Sequence, residues 1–224
     1  MPSPWIWDEA THRYRNAETG RFIGYKTMVG LRDRFVDAQK KRAGALADQL
    51  ASGAIDVYDW QRAMEDEIKT TYIDQYILGH GGRNTMTPSD WGRLGAETRK
   101  QYGYLGRFTQ QVLAGELTDE EGNLKPDALR ARAELYIEGS TGAYERGRAL
   151  GMGLPELPAY PGDGSTDCLV ACRCSWRIEE VHDDDGHLIG WDCYWQAEGD
   201  AGTCATCGER ARTWNPLRIM RPGF

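Results

Sequence analysis

The first 167 residues contain no cysteine; all six lie beyond them. No apolar run approaches the ~20 residues that a membrane-spanning helix needs, so no membrane span is predicted. Phenylalanine is scarce, at 4, whereas tryptophan numbers 8 and tyrosine 11. Aromatics with a polar tip are thus favoured, and such side chains recur at interfaces. The common catalytic signatures are missing. There is no H-E-x-x-H, no G-x-S-x-G and no Walker phosphate loop. The H-x-E and Pro-Cys-x-x-Cys elements of zinc deaminases are missing too. The single C-x-x-C lacks the βαβ setting of a thioredoxin. These absences predict a protein that is not an enzyme. The opening Met1-Pro2-Ser3-Pro4-Trp5-Ile6-Trp7-Asp8 has no basic start and no apolar stretch of signal-peptide length. A cytoplasmic protein is therefore expected.

What is present is an ordinary globular composition, 40% hydrophobic and 27% charged, over 224 residues. The formal charge is −7. That sign argues against a general nucleic-acid coat, because phosphate neutralisation needs concentrated Lys and Arg. The charge is unevenly spread. Residues 1–150 hold 21 basic and 22 acidic side chains, whereas 151–224 hold 6 and 12. Between the halves, residues 151–164 carry three prolines and four glycines, which stop a helix. The division predicted is a body at 1–150, a Pro/Gly connector at 151–164 and a cysteine-rich module at 165–224. The connector reads equally as an ordered polyproline-like strap or as a hinge.

The fold class expected is α+β, a mainly helical body after a short β-hairpin. His12-Arg13-Tyr14-Arg15 and Arg21-Phe22-Ile23 flank a turn at Asn16-Ala17-Glu18-Thr19-Gly20. A first helix is predicted over about 27–52, ended by Gly53. A second is predicted over about 56–78. Val57, Trp60, Met64, Ile68 and Tyr72 recur there at steps of three and four, which marks a core face. Asp56 caps its start, and Gly79-His80-Gly81-Gly82 ends it. No role beyond termination is expected of His80. Thr87-Pro88 opens a third helix. Its glycines, Gly92, Gly95, Gly103 and Gly106, either weaken it or admit a neighbouring helix. A fourth helix starts near Pro126 and carries Leu129, Ala133, Tyr136, Ile137 and Tyr144. Trp91, Tyr102, Tyr104 and Arg107 read as interface anchors or as buried core.

The chemistry is expected in the cysteine half. Cys168, Cys172 and Cys174 stand at spacings of four and two, and Cys204-Ala205-Thr206-Cys207 follows 30 residues later. Short cysteine pairs from two distant stretches suit one tetrahedral ion, and zinc is the cofactor expected. The segments 174–178 and 190–195 alternate as strands do, with Asp183-Asp184-Asp185-Gly186 as the turn between them. The module thus reads as a zinc ribbon. Two ligand sets stay open: Cys172, Cys174, Cys204 and Cys207, or Cys168, Cys172, Cys204 and Cys207. Cys193 reads as a buried thiol. His182, His187 and the acids Asp163, Asp167 and 183–185 are weaker ligand candidates, more simply read as solvated turns. The tail 216–224 is apolar and basic with two prolines, and reads as an extended arm or a frayed end.

One resemblance goes further. Tyr160-Pro161-Gly162-Asp163-Gly164-Ser165-Thr166-Asp167-Cys168, leading into Cys172-Arg173-Cys174 and a tryptophan, resembles the carboxy-terminal part of tailed-phage head morphogenesis proteins, the Mu F-like minor capsid family. The stretch Arg210-Ala211-Arg212-Thr213-Trp214-Asn215-Pro216-Leu217 is similar to later parts of phage and prophage relatives, and 14–22 resembles the openings of phage structural proteins. The histidine-containing segment common upstream in the family has no clear match. The resemblance implies a virion structural protein near the portal, acting in head assembly or DNA packaging. Its implied partners are the portal, the major capsid protein and the connector, with homo-oligomerisation and DNA contact left open. Its implied location is the virion, and the host cytoplasm during assembly. The alternative is a nucleic-acid-binding zinc protein with a regulatory role.

Overall fold

The computed structural model describes residues 4–8, 10, 11, 13–197, 199 and 202–223. His12, which the sequence reading puts in the hairpin, and Phe224, which it puts in the tail, lie outside the described residues, as do residues 1–3. The class is α+β. Among the described residues, five helices build the body, two small three-stranded sheets flank it in sequence, and a short sixth helix lies between the second and third strands of the second sheet.

The opening sheet has three strands: β1 (Trp5–Asp8), β2 (Arg13–Asn16) and β3 (Phe22–Ile23), all antiparallel. The predicted hairpin is β2–β3. Its turn is fixed by Asn16, whose side chain accepts the N–H groups of Glu18 and Thr19. β1 is an added strand, attached to the body by a bond from Trp7 N–H to Gly81 O at 2.9 Å.

Helix α1 (Tyr25–Ala51) and helix α2 (Val57–Gly79) follow the predicted spans closely. The Asp56 carboxylate caps α2 by accepting from Tyr58 and Asp59 N–H. Gly53 takes φ +72°, the left-handed region in which a side chain is disfavoured. Helix α3 (Pro88–Leu113) opens with a reciprocal capping box between Thr87 and Asp90. The core of the body is the predicted stripe Trp60, Met64, Ile68 and Tyr72, closed by Leu94, Leu105 and Phe108 of α3 and by Leu129, Ala133 and Ile137.

The predicted fourth helix is two: α4 (Pro126–Glu138) and α5 (Ser140–Gly151). They break at Gly139. A Cβ there would sit 2.5 Å from the Tyr72 hydroxyl and 3.2 Å from Val170 Cγ1, so only glycine fits. α4 lies along α1, whereas α5 lies along α2. Close helix approach, one of the two roles open to the glycines of α3, occurs between α2 and α5 instead. A Cβ on Gly147 would fall 2.4 Å from Tyr76 O, and one on Gly79 would fall 2.2 Å from Tyr144 O. By contrast, nothing lies within 4 Å of such a Cβ at Gly92 or Gly106. Trp91 and Tyr102 pack against the body core, and Tyr104 is exposed.

The segment 152–164 is packed, not free. Leu154, Leu157, Ala159 and Tyr160 are buried in a second core with Trp176, Trp191, Trp195 and Cys193. The second sheet is β4 (Ser175–His182), β5 (Leu188–Gln196) and β6 (Leu217–Met220), in that order and antiparallel. The β4–β5 turn is the predicted one, with Asp183 accepting the N–H groups of Asp185 and His187. The tail is not an arm through residue 220. It is the third strand, with Trp191 opposite Ile219 and Cys193 opposite Leu217. Helix α6 (Ala205–Thr213) joins β5 to β6.

Candidate metal centre

Three local structures deliver the sulfurs. The first is the turn 168–172. It contains a 3-10 turn at Leu169–Ala171, and Leu169 sits at φ +51°. A non-glycine residue there carries strain of about 1 kcal/mol. The second is Cys172-Arg173-Cys174, which runs straight into β4. The third is the start of α6, where Cys204 occupies the cap position and Cys207 the first turn. A helix start favours anionic sulfur through its unpaired N–H groups.

All five sulfurs meet. Cys168 Sγ lies 3.6 Å from Cys204 Sγ and 3.8 Å from Cys207 Sγ, and Cys172 Sγ lies 3.6 Å from Cys207 Sγ. Two triads result, Cys168–Cys204–Cys207 and Cys172–Cys174–Cys207, each with its sulfurs within 4.8 Å of one another. Cys207 belongs to both. Every cysteine is a free thiol. The separations far exceed a disulfide bond of about 2.05 Å. They match the edge of a sulfur tetrahedron, about 3.8 Å for metal–sulfur bonds of 2.3 Å. The cluster can hold a metal ion.

Each triad contains one sulfur biased toward thiolate. Hydrogen bonding from the Cys174 thiol and N–H, with the Cys207 thiol, outweighs burial and lowers Cys172 to about 5. At Cys204 burial opposes ionisation, but backbone N–H groups of Cys207 and Cys168 lower the pKa overall. Donation to Cys172, with burial, pushes Cys174 far up. Burial leads in raising Cys168, and pushes Cys207 up to about 12. A cation would supply what these three lack, since metal binding takes thiolates and releases protons.

Polar contacts hold the two stretches in register. Asp167 accepts the Thr206 N–H at 3.1 Å. Arg210 donates to Ser165 Oγ and to Ser165 O, at 3.1 and 2.9 Å. The same guanidinium lies 5.0 Å from the ring centres of Trp195 and Trp214. Those rings join Trp176, which stacks on Trp214 at 5.5 Å. The cavity at the sulfurs measures about 30 Å³, lined by Cys168, Arg173, Cys174, Cys204 and Cys207 among others. That volume suits an ion or a water; ligand pockets for metabolites run to about 300 Å³ and more.

The other candidates do not join the cluster. Cys193 is fully buried in the second core, opposite Ile178 on β4. His182 pairs with Glu180 at 3.6 Å and His187 with Asp183 at 3.4 Å, both at the hairpin end. Asp163 is occupied in accepting N–H groups from Tyr160 and Ser165.

One group escaped the sequence reading. His80 is buried, with Nδ1 2.9 Å from Thr85 Oγ1 and Nε2 3.4 Å from Asp90 Oδ2. Tyr76 donates to the same Asp90 at 3.0 Å. Burial lowers the His80 pKa although Asp90 opposes this. Asp90 also accepts the Thr87 N–H and hydroxyl, so its oxygens serve the α3 cap. The network is a joint between α2 and α3. No local pattern marks it, because its members come from separate elements.

No protein-family model, no curated protein and no solved structure matches the chain.

Proposed function

We propose that the five-cysteine cluster binds one structural zinc ion, and that the chain is a virion structural protein, a minor head or portal-associated component of tailed-phage assembly. The observation that carries the metal reading is the set of 3.6–3.8 Å sulfur separations between two stretches some 30 residues apart in sequence. Soft thiolates in a tetrahedral arrangement select zinc among the common divalent ions. Four of the five sulfurs close the coordination shell, with Cys172, Cys204 and Cys207 common to both ligand sets. The ion supplies folding free energy, because the site cannot exist in the unfolded chain. It locks the 168–174 turn to α6, and with them the packed segment 152–164.

The virion role rests on the resemblance of 160–174 to the Mu F-like family. A metal-clamped module on a helical body suits a part that must dock rigidly among portal, connector and capsid subunits. Two measurements test the proposal. Protein purified without chelator should carry one zinc equivalent per chain, and zinc-free folded protein would end the metal reading. Mass spectrometry of purified phage heads and of assembly intermediates should find the chain in head fractions. Absence at every stage would end the virion reading. Tight, steeply salt-dependent DNA binding by the isolated protein would favour the regulatory alternative.

A further inference from the structure

We infer that the solvent face of α3 is a docking surface for the acidic β4–β5 hairpin end of a second copy of this chain. Helix α3 turns Leu94, Thr98, Gln101, Leu105, Phe108 and Val112 inward. Arg99, Lys100, Gly103, Tyr104 and Arg107 face out. No acidic residue occurs between Glu97 and Glu116. Among the described residues, none of Arg99, Lys100 and Arg107 forms an ion pair; their charge is left for an outside partner. Lys100 and Arg107 lie over the exposed Tyr104 ring, at 6.0 and 4.8 Å, which holds them in place.

The complementary surface lies in the other half of the chain. Five carboxylates, Glu179, Glu180, Asp183, Asp184 and Asp185, stand between Ile178 and Leu188; Glu179 pairs with Arg177, Glu180 with His182 and Asp183 with His187, and among the described residues Asp184 and Asp185 form no ion pair. Glu179, Glu180, Asp184 and Asp185 are exposed, and β4 is an edge strand of its sheet. Arg99 to Arg107 spans about 12 Å along a helix. The acidic residues run from the end of β4, at Glu179 and Glu180, into the turn that follows, at Asp183, Asp184 and Asp185. Gly103, between Arg99 and Arg107 on the helix face, keeps the centre of that surface low. The two surfaces are different, so copies join head to tail, an arrangement that closes into a ring where the rotation permits. Opposite charge at such a contact fixes the partner and the register. The inference does not depend on the zinc or the virion reading.

Charge reversal on the full chain tests it, with circular dichroism and metal content monitored throughout. One variant carries Arg99→Glu, Lys100→Glu and Arg107→Glu; a second carries Glu180→Lys, Asp184→Lys and Asp185→Lys. A control, Arg34→Glu, Lys41→Glu and Lys69→Glu, makes elsewhere the same change in net charge as the first variant. Sedimentation should show self-association of the natural chain. Each reversed variant should weaken it at least about a hundredfold, since like charges meet at the contact. Mixing the two variants should restore association, and the control should retain it. A natural chain that stays monomeric at about 1 mM, or association that survives both reversals, would overturn the inference. So would nucleic-acid binding lost on the α3 reversal while the hairpin reversal changes nothing.

Discussion

The Glu145 carboxylate of α5 accepts the backbone N–H of Trp176 at 3.3 Å, the second residue of β4. Arg148, one turn on, pairs with Glu145 at 2.8 Å and donates to the Trp176 carbonyl. Two side chains of the helical body thus supply the hydrogen bonds that a neighbouring strand would give. Glu145 is 1% exposed, so the pair is dry. It ties the body to the cysteine half at one point on the sheet edge.

That joint should be sensitive to the loss of one partner. Glu145→Ala leaves the buried Arg148 uncompensated and should cost about 3–5 kcal/mol. Glu145→Gln keeps an acceptor for Trp176 N–H and should cost less. Denaturant unfolding of both variants measures the difference. Equal losses would show that the hydrogen bond to Trp176 adds nothing.

The cysteines should separate into two classes. Cys207→Ser should abolish stoichiometric metal, since both triads contain Cys207. Cys172→Ser should weaken binding strongly by removing the most acidic thiol. Cys193→Ser should leave metal content unchanged and cost about 1–3 kcal/mol, by placing a hydroxyl in an apolar core. Elemental analysis beside thermal unfolding reads both quantities. A strong chelator should melt the 165–223 region, α6 included, and spare helices α1 to α5.

Stability should depend on pH through His80. Burial lowers its folded pKa below the ordinary 6.5. As pH falls below about 6.5, the unfolded chain takes up a proton that the folded chain resists, so stability is lost until the folded pKa is passed. Asp90 has a folded pKa below its usual 3.8, so its contribution holds above that value and fades as pH falls through the lowered pKa. His80→Asn should remove the first of these slopes and leave the second. Urea titrations from about pH 7.5 down to about pH 2.5 cover both slopes, and an unchanged slope between the ordinary and the lowered His80 pKa would refute the first.

Two glycine substitutions should have opposite signs. Gly147→Ala drives a methyl group to 2.4 Å from Tyr76 O and should cost about 1–3 kcal/mol. Gly106→Ala meets nothing within 4 Å and should stabilise α3 by about 0.5–1 kcal/mol. Thermal unfolding distinguishes them.

Local signals were legible where their physics is local. The Asp56 cap, the Thr87-Pro88 start and the Trp60-Met64-Ile68 stripe act within one or two turns, so the chain displays them in order. The break at Gly139 was hidden. Its cause is the Tyr72 hydroxyl and Val170, which belong to remote elements. The tail read as an arm because two prolines and mixed polarity mask a four-residue strand. Its pairing with β5, and the Arg218–Asp192 bond at 2.7 Å, are tertiary facts.

The amino-acid order alone determined that thiols would come in close-spaced groups, that helices would follow a short β start in the first 150 residues, and that charge would be uneven between the halves. Spacing and periodicity are properties of the chain itself. Only the tertiary structure decided that five sulfurs converge while Cys193 stays in the core. It likewise placed the Glu145–Arg148 pair against Trp176, and His80 between Thr85 and Asp90. Each of these requires distant segments to close on one another, and the free energy of that closure depends on packing that no local pattern encodes.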